Sequence, residues 1–180
     1  MPDPTFLLLQ ADYQNLIKQS KEAPAIKPAS YIAYYILDMT SAKRRQPDEF
    51  FQQTGLPLIN CMHDSPHEAQ AHESGTAYYR PIEQWLDLIS SARYMLTDSF
   101  HGSVFAIIFN TEFFCFGNAH RGNSRFDSLF GKLNLSYRLV DPETANLQKL
   151  SKTPDWNAVN QILADWRQRG RNYLNKHLFL

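Results

Sequence analysis

The stretch RYMLTDSFHGSVFAIIFNTEFFCFG, residues 93–117, decides the fold. RYMLTD (93–98) is a short apolar run ending in polar residues, which reads as a buried strand. Thr97, Asp98 and Ser99 each offer an oxygen that can cap a helix start. Residues 100–110 then carry Val104, Phe105, Ile107 and Ile108, so the spacing predicts a helix that is apolar on most sides and therefore buried. EFFCFG (112–117) reads as a second buried strand. A strand, a helix and a strand in this order form a crossover unit, which pairs the two strands in parallel.

The same alternation extends in both directions. Upstream, Asp12 to Lys21 reads as a helix with Tyr13, Leu16 and Ile17 on one face, and EAPAIKPAS breaks it. YIAYYIL (31–37) reads as a strand, PDEFFQQTG (47–55) as a helix opened by Pro47 and closed by Gly55, and LPLINCM (56–62) as a strand. PIEQWLDLISSA (81–92) reads as a helix opened by Pro81. Downstream, SRFDSLFGKLN (124–134) reads as a helix and YRLV (137–140) as a short strand. A long helix is expected at 155–178, with Trp156, Val159, Leu163, Trp166, Tyr173 and Leu174 turned inward. The expectation is a single α/β domain over residues 1–180, a Rossmann-like three-layer αβα arrangement with a mostly parallel sheet.

Composition narrows the function classes. Apolar residues make up 43% and charged residues 20% of 180 residues, enough for a real core. Eighteen basic and 18 acidic side chains cancel, so charge gives no reason to expect nucleic acid or an anionic membrane surface as partner. No apolar run approaches the length of about 18 residues that a spanning helix needs, and the N-terminus lacks the pattern of a signal peptide. Cys61 and Cys115 both fall in expected strands; two thiols make no disulfide framework, and a reducing cytoplasm is the expected setting. PDPTFLL (2–8) reads as a connection from the middle of a longer chain.

In parallel α/β folds ligands bind outside the carboxyl ends of strands. His101 is expected there, in the first turn of a rigid helix whose N–H groups and dipole favour anions. Gly102 removes a side chain beside it, which is expected to let a ligand approach the backbone. A first-turn histidine that is merely structural is the other reading of the position alone.

The segment PIEQWLDLISSARYMLTDSFHGSVFAIIFNTEFFCFG resembles the signature region of the polysaccharide pyruvyl transferase family. That pattern runs from a Pro-x-x-x-Trp-Leu-x-Leu-Ile helix through an apolar strand to Thr-Asp-x-x-His-Gly and an apolar helix. DPTFLL, HRGNSRFDSLFGKLNL and DWNAVNQILADWRQRGRNYLNKHL extend the resemblance over nearly the whole chain. It implies the C-terminal half of a GT-B-type protein of two Rossmann-like halves. It implies transfer of a pyruvyl group, as a ketal, from phosphoenolpyruvate to sugar hydroxyls in exopolysaccharide or cell-surface glycan synthesis in the cytoplasm. His101 is implied as the general acid, with Asp98, Ser99, Phe100, Gly102, Arg121, Asn123 and Arg125 around the substrate. No cofactor and no metal are implied; phosphoenolpyruvate is the donor and a sugar or glycan the acceptor. The missing N-terminal domain would be the partner. Alone the domain is expected to be inactive, and the apolar face left bare would pair two copies into a homodimer. Many family members carry Arg where this chain has Ser99, so either Arg121, Arg125 or the other domain meets the donor's charge, or the donor differs. Two rival readings are the nucleotide-sugar-binding half of a GT-B glycosyltransferase and a non-catalytic glycan-binding or assembly domain.

Other clusters weigh less. In CMHDSPHEAQAHE (61–73) His63 and His67 stand at i, i+4, but Pro66 between them argues against a zinc-binding helix. Tyr78, Tyr79 and Arg80 suit packing better than sugar stacking. Lys43, Arg44 and Arg45 read as a solvated basic face, His120 as a neighbour of the arginine loop, and Cys115 as an inert core thiol.

Overall fold

The structure, a computed structural model, describes residues 3–19, 27–62, 80–117, 122–147 and 152–178. Five strands form an all-parallel sheet in the order β2-β1-β3-β4-β5: β1 Ile32–Tyr35, β2 Leu58–Asn60, β3 Tyr94–Thr97, β4 Glu112–Phe116 and β5 Leu139–Val140. The helices are α1 Gln10–Ile17, α2 Ser41–Thr54, α3 Ile82–Ser91, α4 Phe100–Phe109, α5 Ser124–Lys132 and α6 Trp156–Leu178. The fold is a Rossmann-like three-layer α/β arrangement. The 93–117 crossover stands as read, with Tyr94 in register with Glu112 and Thr97 with Cys115.

Alternation along the strands sorts the core into two layers. Ala33, Met95, Phe113 and Cys115 face the layer built by α1, α3, α4, α5 and α6. Ile32, Leu96, Phe114 and Phe116 face the opposite layer, where Phe50 of α2 sets its ring edge-on to Tyr94 and Phe114, with centroids 5.0 and 5.8 Å away. From β1 the chain crosses to β2 on one side, and from β3 it crosses to β4 on the other. The order therefore reverses at the carboxyl ends of β1 and β3, where ligands bind in open α/β sheets.

Several elements differ from the sequence reading. Pro47 does not open α2 but lies inside it: Thr40 caps the helix by accepting from Lys43 N at 3.3 Å, so α2 starts six residues earlier, at Ser41. Capping outweighs the proline, which removes only the bond that the Lys43 carbonyl would accept. Cys61 falls just past β2, buried. Of the residues expected inward on α6, Val159 and Leu163 are buried and Trp156 and Trp166 are half-buried against the core, but Tyr173 is 53% exposed; Gly170 is buried as well. Only Leu139 and Val140 of YRLV form strand, because Arg138 ends a 3₁₀ turn, Ser136–Arg138. Its guanidinium is buried and bonds the Glu112 carboxylate at 2.6 Å and the carbonyls of Phe113 and Lys152, tying β4 to the approach of α6.

Helix α4 ends on Asn110 in the left-handed region, at φ 57°, and among the described residues its buried Oδ1 has no hydrogen-bond partner. Asn110→Gly removes both penalties and is expected to raise stability by about 1 kcal/mol. Urea unfolding checks this; a loss of stability would mean that the Asn110 side chain holds this corner.

Candidate functional site at the start of α4

The Thr97–Gly102 motif builds a rigid doorway. Thr97 donates its hydroxyl to the Tyr35 carbonyl at 2.7 Å and accepts from Ser99 N at 3.0 Å. Ser99 caps α4, its hydroxyl accepting from Gly102 N at 3.3 Å. A Cβ at Gly102 would lie 2.5 Å from Thr97 Oγ1, so the missing side chain at this buried position makes room for the Thr97 hydroxyl. The Gly102 N–H is occupied, and the first-turn N–H groups of Phe100 and His101 have no acceptor within the helix.

Asp98 lies beneath the doorway. Its carboxylate accepts from Leu37 N at 2.6 Å, from Asp38 N at 3.0 Å and from Lys43 Nζ at 2.7 Å, and the side chains of Asp98 and Lys43 are 1% and 3% exposed. Asp98 thus locks the loop after β1 to the loop after β3 at the point where the strand order reverses. Lys43 is not part of a solvated face, since burial against Asp98 removes it; only Arg44 and Arg45 stay exposed. Nothing local in the sequence marks Lys43, because its partner lies 55 residues away.

The side chains that reach the surface are few. His101 is 56% exposed, with Nε2 3.9 Å from the Asp3 carboxylate. Asp3 caps the 3₁₀ turn Pro4–Leu7 through a bond from Thr5 N at 3.0 Å. Burial pushes the Asp3 carboxyl up, but the Thr5 bonds and the charges of His101 and Arg125 outweigh it and hold it below the usual range. A depressed carboxylate stabilises the fold above its unfolded-state titration and loses that contribution as pH falls through its folded-state value. Arg125, in the first turn of α5, lays its guanidinium 4.0 Å over the Phe100 ring, which holds both beside His101. Asn123 packs behind them against Gly117.

The structure therefore brings His101, Arg125 and Phe100 together at the surface and sets Asp98, Ser99 and Gly102 as their buried support. Arg121, His120, Tyr78, Tyr79 and the histidines of 63–72 lie outside the described residues. Arg80, which is described, donates from Nε to the Asn60 carbonyl at 3.2 Å. Among the described residues no group of three or more His, Cys, Asp or Glu side chains could hold a metal. Among the described residues no helix is long and apolar enough to cross a membrane. Burial pushes the Cys61 and Cys115 thiols up to about 12, as expected of inert core thiols.

No curated protein matches the chain. The profile of the family described as polysaccharide pyruvyl transferase matches residues 1–120, a span that includes the doorway and stops short of α5 and α6. The match covers two thirds of the 180 residues, and the chain belongs to the polysaccharide pyruvyl transferase family.

Proposed function

We propose that the chain carries the donor site for transfer of a pyruvyl group from phosphoenolpyruvate to sugar hydroxyls, with His101 as general acid. Family membership supports a polysaccharide pyruvyl transferase-like function. The observation that carries the finer reading is the position of His101, exposed on the first turn of α4 next to Phe100, over whose ring the Arg125 guanidinium lies. Phosphoenolpyruvate is a carboxylate and a phosphate around one enol carbon, and an arginine with a helix N-terminus suits such an anion.

The chemistry starts with proton transfer from the His101 imidazolium to the methylene carbon of phosphoenolpyruvate, giving an oxocarbenium-like centre at the enol carbon. A sugar hydroxyl adds there and gives up its proton. The bond from that carbon to the phosphate oxygen breaks, inorganic phosphate leaves, and a second hydroxyl of the same sugar adds with loss of its proton. The product is a six- or five-membered ketal. Ser99 supplies no cation, so Arg125 takes the anionic load that an arginine at that position would share. The acceptor's remaining contacts belong, on this reading, to a second GT-B-type domain, and the work is that of exopolysaccharide or surface-glycan assembly in the cytoplasm.

The test is a ¹⁵N NMR titration of the chain with phosphoenolpyruvate and, separately, with a nucleotide sugar. Phosphoenolpyruvate is expected to shift the amides of Ser99 to Gly102 and the His101 ring, and the nucleotide sugar to leave them in place. Shifts with the nucleotide sugar alone would replace this reading with a glycosyltransferase-like donor site.

A further inference from the structure

A groove of about 1070 Å³ opens next to the doorway, between α5, α6 and the 3₁₀ turn at Pro4–Leu7. Its volume far exceeds what a three-carbon phosphate ester fills, and it lies in the size range of sites that hold whole organic ligands. Phe100 and Asp3 belong to its wall, and both touch the His101 corner, so groove and doorway are continuous.

Three cations and one carboxylate line it, in a chain whose formal charges cancel. The carboxylate, Asp3, already faces His101 and Arg125. Lys132, from the last turn of α5, and Arg169, from α6, have no ion-pair partner among the described residues. Across from Arg125 the groove is walled by Trp166, half-buried with its ring edge-on to Phe6 at 5.8 Å, and by Tyr173, more than half exposed. Trp166 packs on the core yet also lines the groove, Tyr173 is exposed, and Lys132 and Arg169 line the groove beside them. Flat aromatic faces suit the apolar face of a pyranose ring, and guanidinium and ammonium groups suit phosphate or carboxylate. Gly170 brings α6 close to the 3₁₀ turn at this point: a Cβ there would lie 2.3 Å from Leu7 Cδ2, so the Leu7 side chain would have to move.

We propose that this groove binds an anionic saccharide as the acceptor, with Trp166 and Tyr173 stacking on sugar rings and Lys132 and Arg169 meeting a phosphate or carboxylate carried by the sugar. The inference rests on the pyruvyl-acceptor reading above and names the acceptor's class. Arg125 stands between the two sites and faces both.

The test is a titration of the chain followed by the indole resonance of Trp166 and the amides of Arg169 to Tyr173. The probes are a galacturonate trisaccharide, galactose 6-phosphate, a neutral galactose trisaccharide and inorganic phosphate. The uronate or the sugar phosphate is expected to bind at least tenfold more tightly than the neutral trisaccharide, and whichever of the two does so identifies the anionic group. Lys132→Glu/Arg169→Glu is expected to abolish that preference, and Trp166→Ala to weaken both acidic probes while inorganic phosphate is unaffected. Equal binding of acidic and neutral sugars, undiminished binding by the charge-reversed variant, or inorganic phosphate competing as well as the acidic sugars would each overturn the proposal. Shifts by phosphoenolpyruvate at Ser99 to Gly102 with no saccharide bound at the groove would overturn the acceptor class and leave the donor reading standing; the reverse pattern would do the opposite.

Discussion

Asp98→Ala is expected to lower stability by about 3–5 kcal/mol, the largest loss of any substitution in the doorway. The Asp98 carboxylate holds the Lys43 ammonium at 2.7 Å and two backbone N–H groups, with both side chains nearly sealed from water. Removing it leaves a buried cation and two buried donors without partners, and each is costly in a medium of low polarity. Lys43→Met is expected to cost less, about 1–3 kcal/mol, because the carboxylate keeps its bonds to Leu37 N and Asp38 N. The Lys43→Met/Asp98→Ala double variant is expected to lose less than the sum of the two, which is the mark of a direct pair. Urea unfolding of the four proteins measures this. A loss below about 1 kcal/mol for Asp98→Ala would mean that water or movement of the Leu37–Asp38 loop replaces the carboxylate, and that Asp98 does not fix the doorway.

This pair also marks the limit of what the sequence discloses. The fold was legible because residues 93–117 carry two buried strands and a helix too apolar to face water, with capping oxygens at their junction. Periodicity and caps are local and need no knowledge of tertiary neighbours. Lys43 was misread for the same reason: a lysine followed by two arginines looks solvated until the sheet brings it beneath Asp98. Pro47 was misread as a helix start because a proline competes with every other signal nearby, and Thr40, the actual cap, precedes three residues that look like loop.

The site divides along the same line. The Thr97–Gly102 motif could be located in the sequence, but not the division of labour inside it. The Asp98 carboxylate is taken up by Lys43 and the loop after β1, and the Ser99 hydroxyl by the Gly102 N–H, bonds that sequence spacing does not reveal. The groove was invisible, since Trp166 and Tyr173 at helical spacing read as core. Tyr173 stays exposed because it lies beyond the part of α6 that packs on the core, from Trp156 and Val159 through Leu163 to Trp166 and Gly170.

On the proposed reading, His101→Gln is expected to lower kcat for pyruvyl transfer by about 10²–10⁴-fold, with KM for phosphoenolpyruvate changed by only a few-fold. Glutamine keeps the bulk and a polar end at this exposed position, so the fold and the backbone N–H groups of the first turn are preserved. What it lacks is a proton to give. A loss confined to kcat therefore separates proton transfer from donor binding. Arg125→Ala should behave in the opposite sense on the proposed reading, raising KM for phosphoenolpyruvate at least tenfold, because a guanidinium can meet the donor's charge but does not give up a proton. If His101→Gln instead raises KM and leaves kcat intact, His101 is an anion ligand, and the proton at the methylene carbon comes from another group. If it changes neither, the first turn of α4 is only a scaffold, and the acid has to be sought outside it.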